Sequence, residues 1–258
     1  MTDLYCVLHK DPGYSREGAA AFLAGERRME LPEAAAAVRA APGFLLENAP
    51  LDKASAFNFR ASAYGLETIL LSHKDLKDPP PAVTVSKIEL RTEGFYYAHG
   101  SVKERVPFEA VRLLTACAFD IEAPAKDPAV MEAGLMDSLR VRYFPFAPPI
   151  GGKRNKPAPP PPAKETVFLA DIFTGGQAPL RLHIPCDEQD YSGIGPQKSV
   201  ASLENFRLLL EQLSARAFGT RRNSFLEGLL NKKPIGPIKY PSEEAYEKEL
   251  VWLLTIRQ

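Results

Sequence analysis

Apolar positions in the first seventy residues switch between the two-residue period of a strand and the three-to-four-residue period of a helix. Tyr5 to Leu8 is a short apolar run ended by Lys10-Asp-Pro-Gly13, which predicts a strand and a turn. Ser15 fits the cap of a helix that buries Ala19, Ala20, Phe22 and Leu23 and is weakened or ended at Gly25. Pro32 suits a first helical position, and the run from Glu33 to Ala41 stops at Pro42-Gly43. Phe44 to Glu47 reads as a strand. A third helix over Asp52 to Tyr64 places Leu51, Ala54, Phe57 and Ala61 near one face, with Gly65 in the stop position. Thr68 to Leu71 closes the unit, so residues 1–77 are predicted as β-α-α-β-α-β.

Asp78-Pro-Pro-Pro81 follows as a stiff connector over residues 78–82. Beyond it the periods shorten to those of strands, over Val83–Leu90, Gly94–Tyr97, Val111–Thr115, Leu139–Phe144, Thr166–Phe173 and Leu180–Ile184. Gly175-Gly176 joins the last two as a hairpin. A segment at 145–165, rich in proline and broken by Lys153-Arg-Asn-Lys156, has no apolar period and reads as a solvated loop. A helix from Leu203 to Ala217, stopped at Gly219, ends a second domain over residues 83–219. Residues 220–258 form a tail with the basic turn Arg221-Arg222 and an amphipathic helix from Glu243 to about Leu254 that contains Trp252. The fold class is α+β.

From Leu31 to Leu70 the chain resembles the carboxy-terminal domain of the bacterial ribosomal stalk protein L7/L12, on Leu31, Glu33, Ala34, Val38, Ala41, Pro42, Ala54 and Gly65. The bacterial adaptor ClpS is similar in the same element order. The resemblance implies a fold and a bacterial type of interaction module. At the positions where the stalk family presents basic residues this chain has Ala21, Ala24 and Ala35, and where ClpS has its recognition residues it has Lys10-Asp-Pro12 and Val38-Arg39. The second domain, with Arg105-Val-Pro-Phe-Glu-Ala-Val111, resembles bacterial pleckstrin-homology-like domains, which implies a small barrel or curled antiparallel sheet with a closing carboxy-terminal helix.

Composition changes this picture little: 45% hydrophobic and 25% charged residues are ordinary for a globular chain. Lys+Arg 32 against Asp+Glu 32 leaves no basic excess, which argues against nucleic acid as a partner. The sequence has neither an apolar run of membrane-spanning length nor a signal-peptide pattern at its amino end, so the expected location is the cytoplasm. Cys6, Cys117 and Cys186 are three well-separated cysteines in or beside apolar runs, as expected of buried free thiols in a reducing compartment.

No catalytic signature is present, and the chain is expected to be a non-catalytic protein-interaction or adaptor module with no cofactor and no metal. Its partner would be another protein; the sequence does not name it or set the oligomeric state. The candidate partner surface is the first helix. Ala19 to Ala24 are apolar all round, so either the second domain or a partner covers Ala21 and Ala24, with Arg27, Arg28 and Arg39 as a rim that orients an acidic partner. A first alternative is a hydrolase or metalloenzyme around His183, Cys186 and Asp187, whose His-x-x-Cys spacing could begin a metal site. A second is a lipid-surface binder through Arg91, Lys103, Arg105 and Arg112, among which Glu89, Glu93, Glu104 and Glu109 interleave.

Overall fold

The computed structural model of the protein describes residues 3–122, 164–176 and 178–256. It is a mixed α+β fold with several sheets. The first of them is three-stranded, in the order β2-β1-β3, from β1 (Tyr5–His9), β2 (Phe44–Ala49) and β3 (Thr68–Ser72), with both pairs antiparallel. Strand alternation splits β1 between two cores. Val7 faces α1 (Arg16–Arg27), α2 (Leu31–Ala40) and α3 (Leu51–Ala63), in a core with Phe22, Leu23, Val38, Leu45 and Phe57. Cys6 and Leu8 point the other way, into a larger core shared with residues far along the chain.

Gly25 does not end α1, which runs on to Arg27; Arg28 ends it in the left-handed conformation (φ 53°), its N–H bonded to the Ala24 carbonyl. An exposed glycine costs a helix only about 1 kcal/mol, too little to stop one already packed on a sheet.

The expected strand over Val83–Leu90 is two strands in different sheets. Between β4 (Ala82–Thr84) and β5 (Lys87–Leu90), the Val85 N–H donates to His183 and the Ser86 N–H to Ala98, so the chain leaves one sheet and joins the next. β5 pairs with β6 (Gly94–His99), and β6 with β7 (Val102–Pro107), all antiparallel. A five-stranded sheet has the order β11-β8-β9-β10-β4, from β8 (Val111–Glu122), β9 (Lys164–Thr174), β10 (Arg181–Pro185) and β11 (Arg221–Arg222). The pair β9/β10 is antiparallel, whereas β10/β4 and β8/β11 are parallel. Among the described residues no sheet closes into a barrel. The barrel alternative is thereby corrected, and the parallel edge pairs depart from a purely antiparallel curled sheet.

The helices after the last long strand are α4 (Ser202–Arg216), α5 (Ser224–Leu230), α6 (Ile235–Ile238) and α7 (Glu243–Thr255). The region beyond Arg222 was expected to hold one helix, yet α5 and α6 precede it. Phe206, Leu210, Phe225, Tyr246 and Trp252 carry these helices into the larger core with Leu113, Ile172 and Leu182. Residues on both sides of the proline connector belong to one compact unit, Met1–Phe119 with Val167–Gln258. Asp120–Thr166 is a separate unit, of which only 120–122 and 164–166 are described. The expected strand at Leu139–Phe144 and the loop from 145 to 163 lie outside the described residues, while Lys164 and Glu165, assigned to that loop, already belong to β9. Among the described residues no helix is long and apolar enough to cross a membrane.

Candidate functional site

Three stretches distant in sequence form a cleft of about 330 Å³: Pro12–Glu17, the Arg222–Glu227 segment, and Glu249 with Trp252 on α7. Each is placed by a local device. The Asp11 carboxylate accepts from the Gly13 N–H (2.8 Å) to turn the chain, and Ser15 caps α1 by accepting from the Gly18 N–H (3.0 Å), which sets Arg16 and Glu17 in the first helical turn. Across the cleft, Asn223 caps α5 through the Leu226 N–H (3.1 Å) while its side chain exchanges two hydrogen bonds with the backbone of Ala116 on β8. Ser224 therefore starts α5 at a fixed height above the sheet. Ser242 caps α7, and one helical face then presents Ala245, Glu249 and Trp252.

The floor is buried and the rim exposed. Glu249 is only 2% accessible, and its Oε2 accepts from Asn223 (3.0 Å) and from the Tyr240 hydroxyl. Its Oε1 lies 3.7 Å from Nη2 of Arg16, which donates instead to the Ser224 hydroxyl at 2.6 Å. Trp252 donates its indole N–H to the His9 carbonyl (2.7 Å), and Tyr14 stacks on His9 and meets Trp252 edge-on. Arg222 and Glu227 stand exposed at the rim, Arg222 donating to the Ser214 carbonyl (3.0 Å). Burial pushes the Glu249 carboxyl above its ordinary value, against the opposing pull of the Tyr240 and Asn223 hydrogen bonds and the Arg16 charge. Burial lowers the His9 imidazole to about 4, so the ring stacked behind Tyr14 is neutral at pH 7.

The Glu249 shift has a sign that can be measured. A carboxyl whose folded pKa is raised binds its proton more tightly when folded, so its contribution to stability declines as pH rises above the ordinary 4.5 and through the folded value. Glu249→Gln keeps an acceptor for Asn223 and Tyr240 but cannot ionise. Its urea midpoint should exceed that of the parent by a margin that grows as pH rises above 4.5 until the folded Glu249 has ionised; a margin independent of pH would show that its value is not raised on folding.

The partner surface expected on the first helix is distributed over several environments. Ala21 and Ala24 are half-buried, and α2 packs alongside α1. Arg27 is exposed and donates to the Leu45 carbonyl (2.8 Å), Arg28 is the exposed helix cap, and Arg39 is exposed at the end of α2.

His183, Cys186 and Asp187 are not brought together. Alternation puts Leu182 and Ile184 on one face of β10 and Arg181 with His183 on the other, where Nδ1 of His183 lies 3.0 Å from the Asp171 carboxylate. Cys186 is buried, its thiol pushed up to about 11 by burial, and Asp187 is exposed. Among the described residues no three His, Cys, Asp or Glu side chains converge to hold a metal ion. On the second sheet, Lys103 pairs with Glu89 (2.8 Å) and Arg105 with Glu93 (3.1 Å), so basic residues proposed to meet lipid are matched by carboxylates. Arg91 also lies near Glu89, and the Arg112 side chain lies against Gly175.

The sequence reading noticed Trp252 and Arg222 without a role and missed Tyr14, Arg16, Ser224 and Glu249. One signal was available, a glutamate at a buried position of the α7 period, between Tyr246 and Leu250.

A scan against protein-family models and searches of curated proteins and of solved structures returned no match to this chain.

Proposed function

We propose that this chain is a non-catalytic protein-interaction module of the adaptor kind, and that the Arg16–Arg222 cleft receives a charged segment of its partner. The observation that carries this reading is the arrangement of the cleft, with charged residues exposed on two opposed rims over a floor of buried Glu249 and Trp252. A volume of about 330 Å³ is at the low end for small-molecule sites and suits one or two protruding side chains. The order β1-α1-α2-β2-α3-β3 supports a stalk-like first layer, a type whose relatives mostly bind. The hydrolase alternative is weakened because its residues face different ways, and the lipid alternative because Arg91, Lys103 and Arg105 are each matched by a carboxylate.

Arg222→Glu tests the reading. The side chain is exposed, so the variant should keep the parent's melting temperature yet lose capture of the protein that the parent retrieves from its source cell by roughly tenfold or more. Undiminished capture of that same protein by a folded variant would move the partner site elsewhere.

A further inference from the structure

Resting on the reading of the cleft as a partner site, we infer that the segment it receives carries two neighbouring side chains of opposite charge: a basic one that settles on Glu249 and an acidic one that settles on Arg222. The first half follows from an incomplete set of hydrogen bonds. Oε2 of Glu249 is supplied by Asn223 and Tyr240, but Oε1 has only Arg16 at 3.7 Å, beyond hydrogen-bonding reach, because that guanidinium is held by Ser224. A buried carboxylate whose Oε1 faces the cleft with only this long ion pair to Arg16 is where an incoming ammonium gains most, since removing a charge from water is offset only by close pairing. The part-exposed Tyr14 ring beside it offers aromatic surface to the aliphatic stem of such a side chain.

The second half follows from the rim. Among the described residues the Arg222 guanidinium donates one hydrogen bond, to Ser214, and its fork of N–H groups has five donors in all, so a carboxylate can still be taken in two-point fashion. The charge balance then selects between ligand classes. Arg16 and Arg222 stand against Glu17, Glu227 and Glu249, so a simple anion meets nearby carboxylates and a simple cation meets nearby guanidinium groups. Only a segment bearing both signs gains at each end. Like-charge contact at the wrong end is what rejects the others.

Four blocked tetrapeptides provide the test: Gly-Lys-Glu-Gly, the same peptide with norleucine for lysine, with glutamine for glutamate, and with both changes. Each is titrated against the full chain by calorimetry and by the emission of Trp252, the one tryptophan of the sequence. The doubly charged peptide should bind roughly tenfold or more tightly than either singly charged one. In Glu249→Gln its advantage over the norleucine peptide should vanish, and in Arg222→Met its advantage over the glutamine peptide. Because Arg222 is exposed, that second variant tests the proposal even if the first alters folding. A singly charged peptide that binds within twofold of the doubly charged one, or an advantage that survives both variants, overturns the inference and leaves the cleft as a partner site. Failure of all four to bind or to change Trp252 emission at millimolar concentration overturns both.

Discussion

Trp252→Ala is expected to lower stability by about 3–5 kcal/mol, the cost of deleting a large buried aromatic side chain, and to drop the melting temperature by roughly 10 °C. The ring does three things at once. It fills the larger core at 2% exposure, it satisfies the His9 carbonyl, and it lies flat against the Gly43 backbone. A Cβ on Gly43 would stand 1.9 Å from Trp252 Cδ2, and the glycine's φ of +81° disfavours any other residue. Gly43→Ala should therefore reproduce most of the loss with the indole still present, because the ring must move. The Gly43 N–H also donates to the Tyr14 hydroxyl (3.0 Å), so the same displacement disturbs the wall of the cleft. Calorimetric melting of both variants checks this. A loss below about 1 kcal/mol in each would show that the first sheet is held to α7 by something other than this contact.

Asp171→Asn is the second large effect. Asp171 is fully buried and accepts from Arg181 twice (2.9 and 3.2 Å), from His183 (3.0 Å) and from the Tyr246 hydroxyl (2.6 Å). The β9/β10 register creates this, since His183 sits directly across from Asp171 and Arg181 one diagonal away. Burial alone would push the carboxyl up, but the His183 and Arg181 hydrogen bonds and charges more than offset it and hold the pKa below the ordinary 3.8. His183 is raised above 6.5, first by its bond to Asp171. Asp171 therefore contributes stability that is present above about pH 3.8 and lost as pH falls through its folded value. His183 contributes stability present below pH 6.5 and lost as pH rises through its own folded value. Asparagine leaves Arg181 with only the part-exposed Glu247 carboxylate as counter-charge and His183 with none, for an expected loss of about 3 kcal/mol. Urea unfolding should show the gap from the parent at its widest between pH 3.8 and 6.5; a gap that instead widened steadily to pH 9 would contradict the part given to His183.

What the sequence disclosed of the fold is what local chemistry decides. Gly43 and Gly65 with positive φ sit where the helices before them were expected to stop, and the third helix, expected over 52–64, spans Leu51–Ala63. What it did not disclose depends on remote partners. The break at Val85–Ser86 has only Ser86 to announce it, too weak a signal by itself, because the partners that divide the strand, His183 and Ala98, are set by tertiary structure. Asp171 in the apolar run of β9 and Glu249 in α7 were visible as charges at buried positions, but their compensation by Arg181, His183, Tyr240 and Asn223 required the neighbouring elements. The cleft was illegible for the same reason, being assembled from residues near 14, 222 and 249. Ala21 and Ala24 are half-buried on α1, which has α2 alongside it, a neighbour that the period of α1 alone does not show.

The indole hydrogen bond of Trp252 spans 243 positions of the chain. A ribosome adds roughly 5–20 residues per second, so about 12–50 s separate the synthesis of His9 from that of the residue that caps its carbonyl. Throughout that interval the helical side of the first sheet can already be packed, because its core is drawn entirely from Tyr5 to Leu70. The opposite side, Cys6, Leu8 and Phe44, belongs to the core that α7 completes, so its burial stays unfinished until α7 has left the exit tunnel. Birth order thus makes the layer that folds first also the one whose burial is completed last.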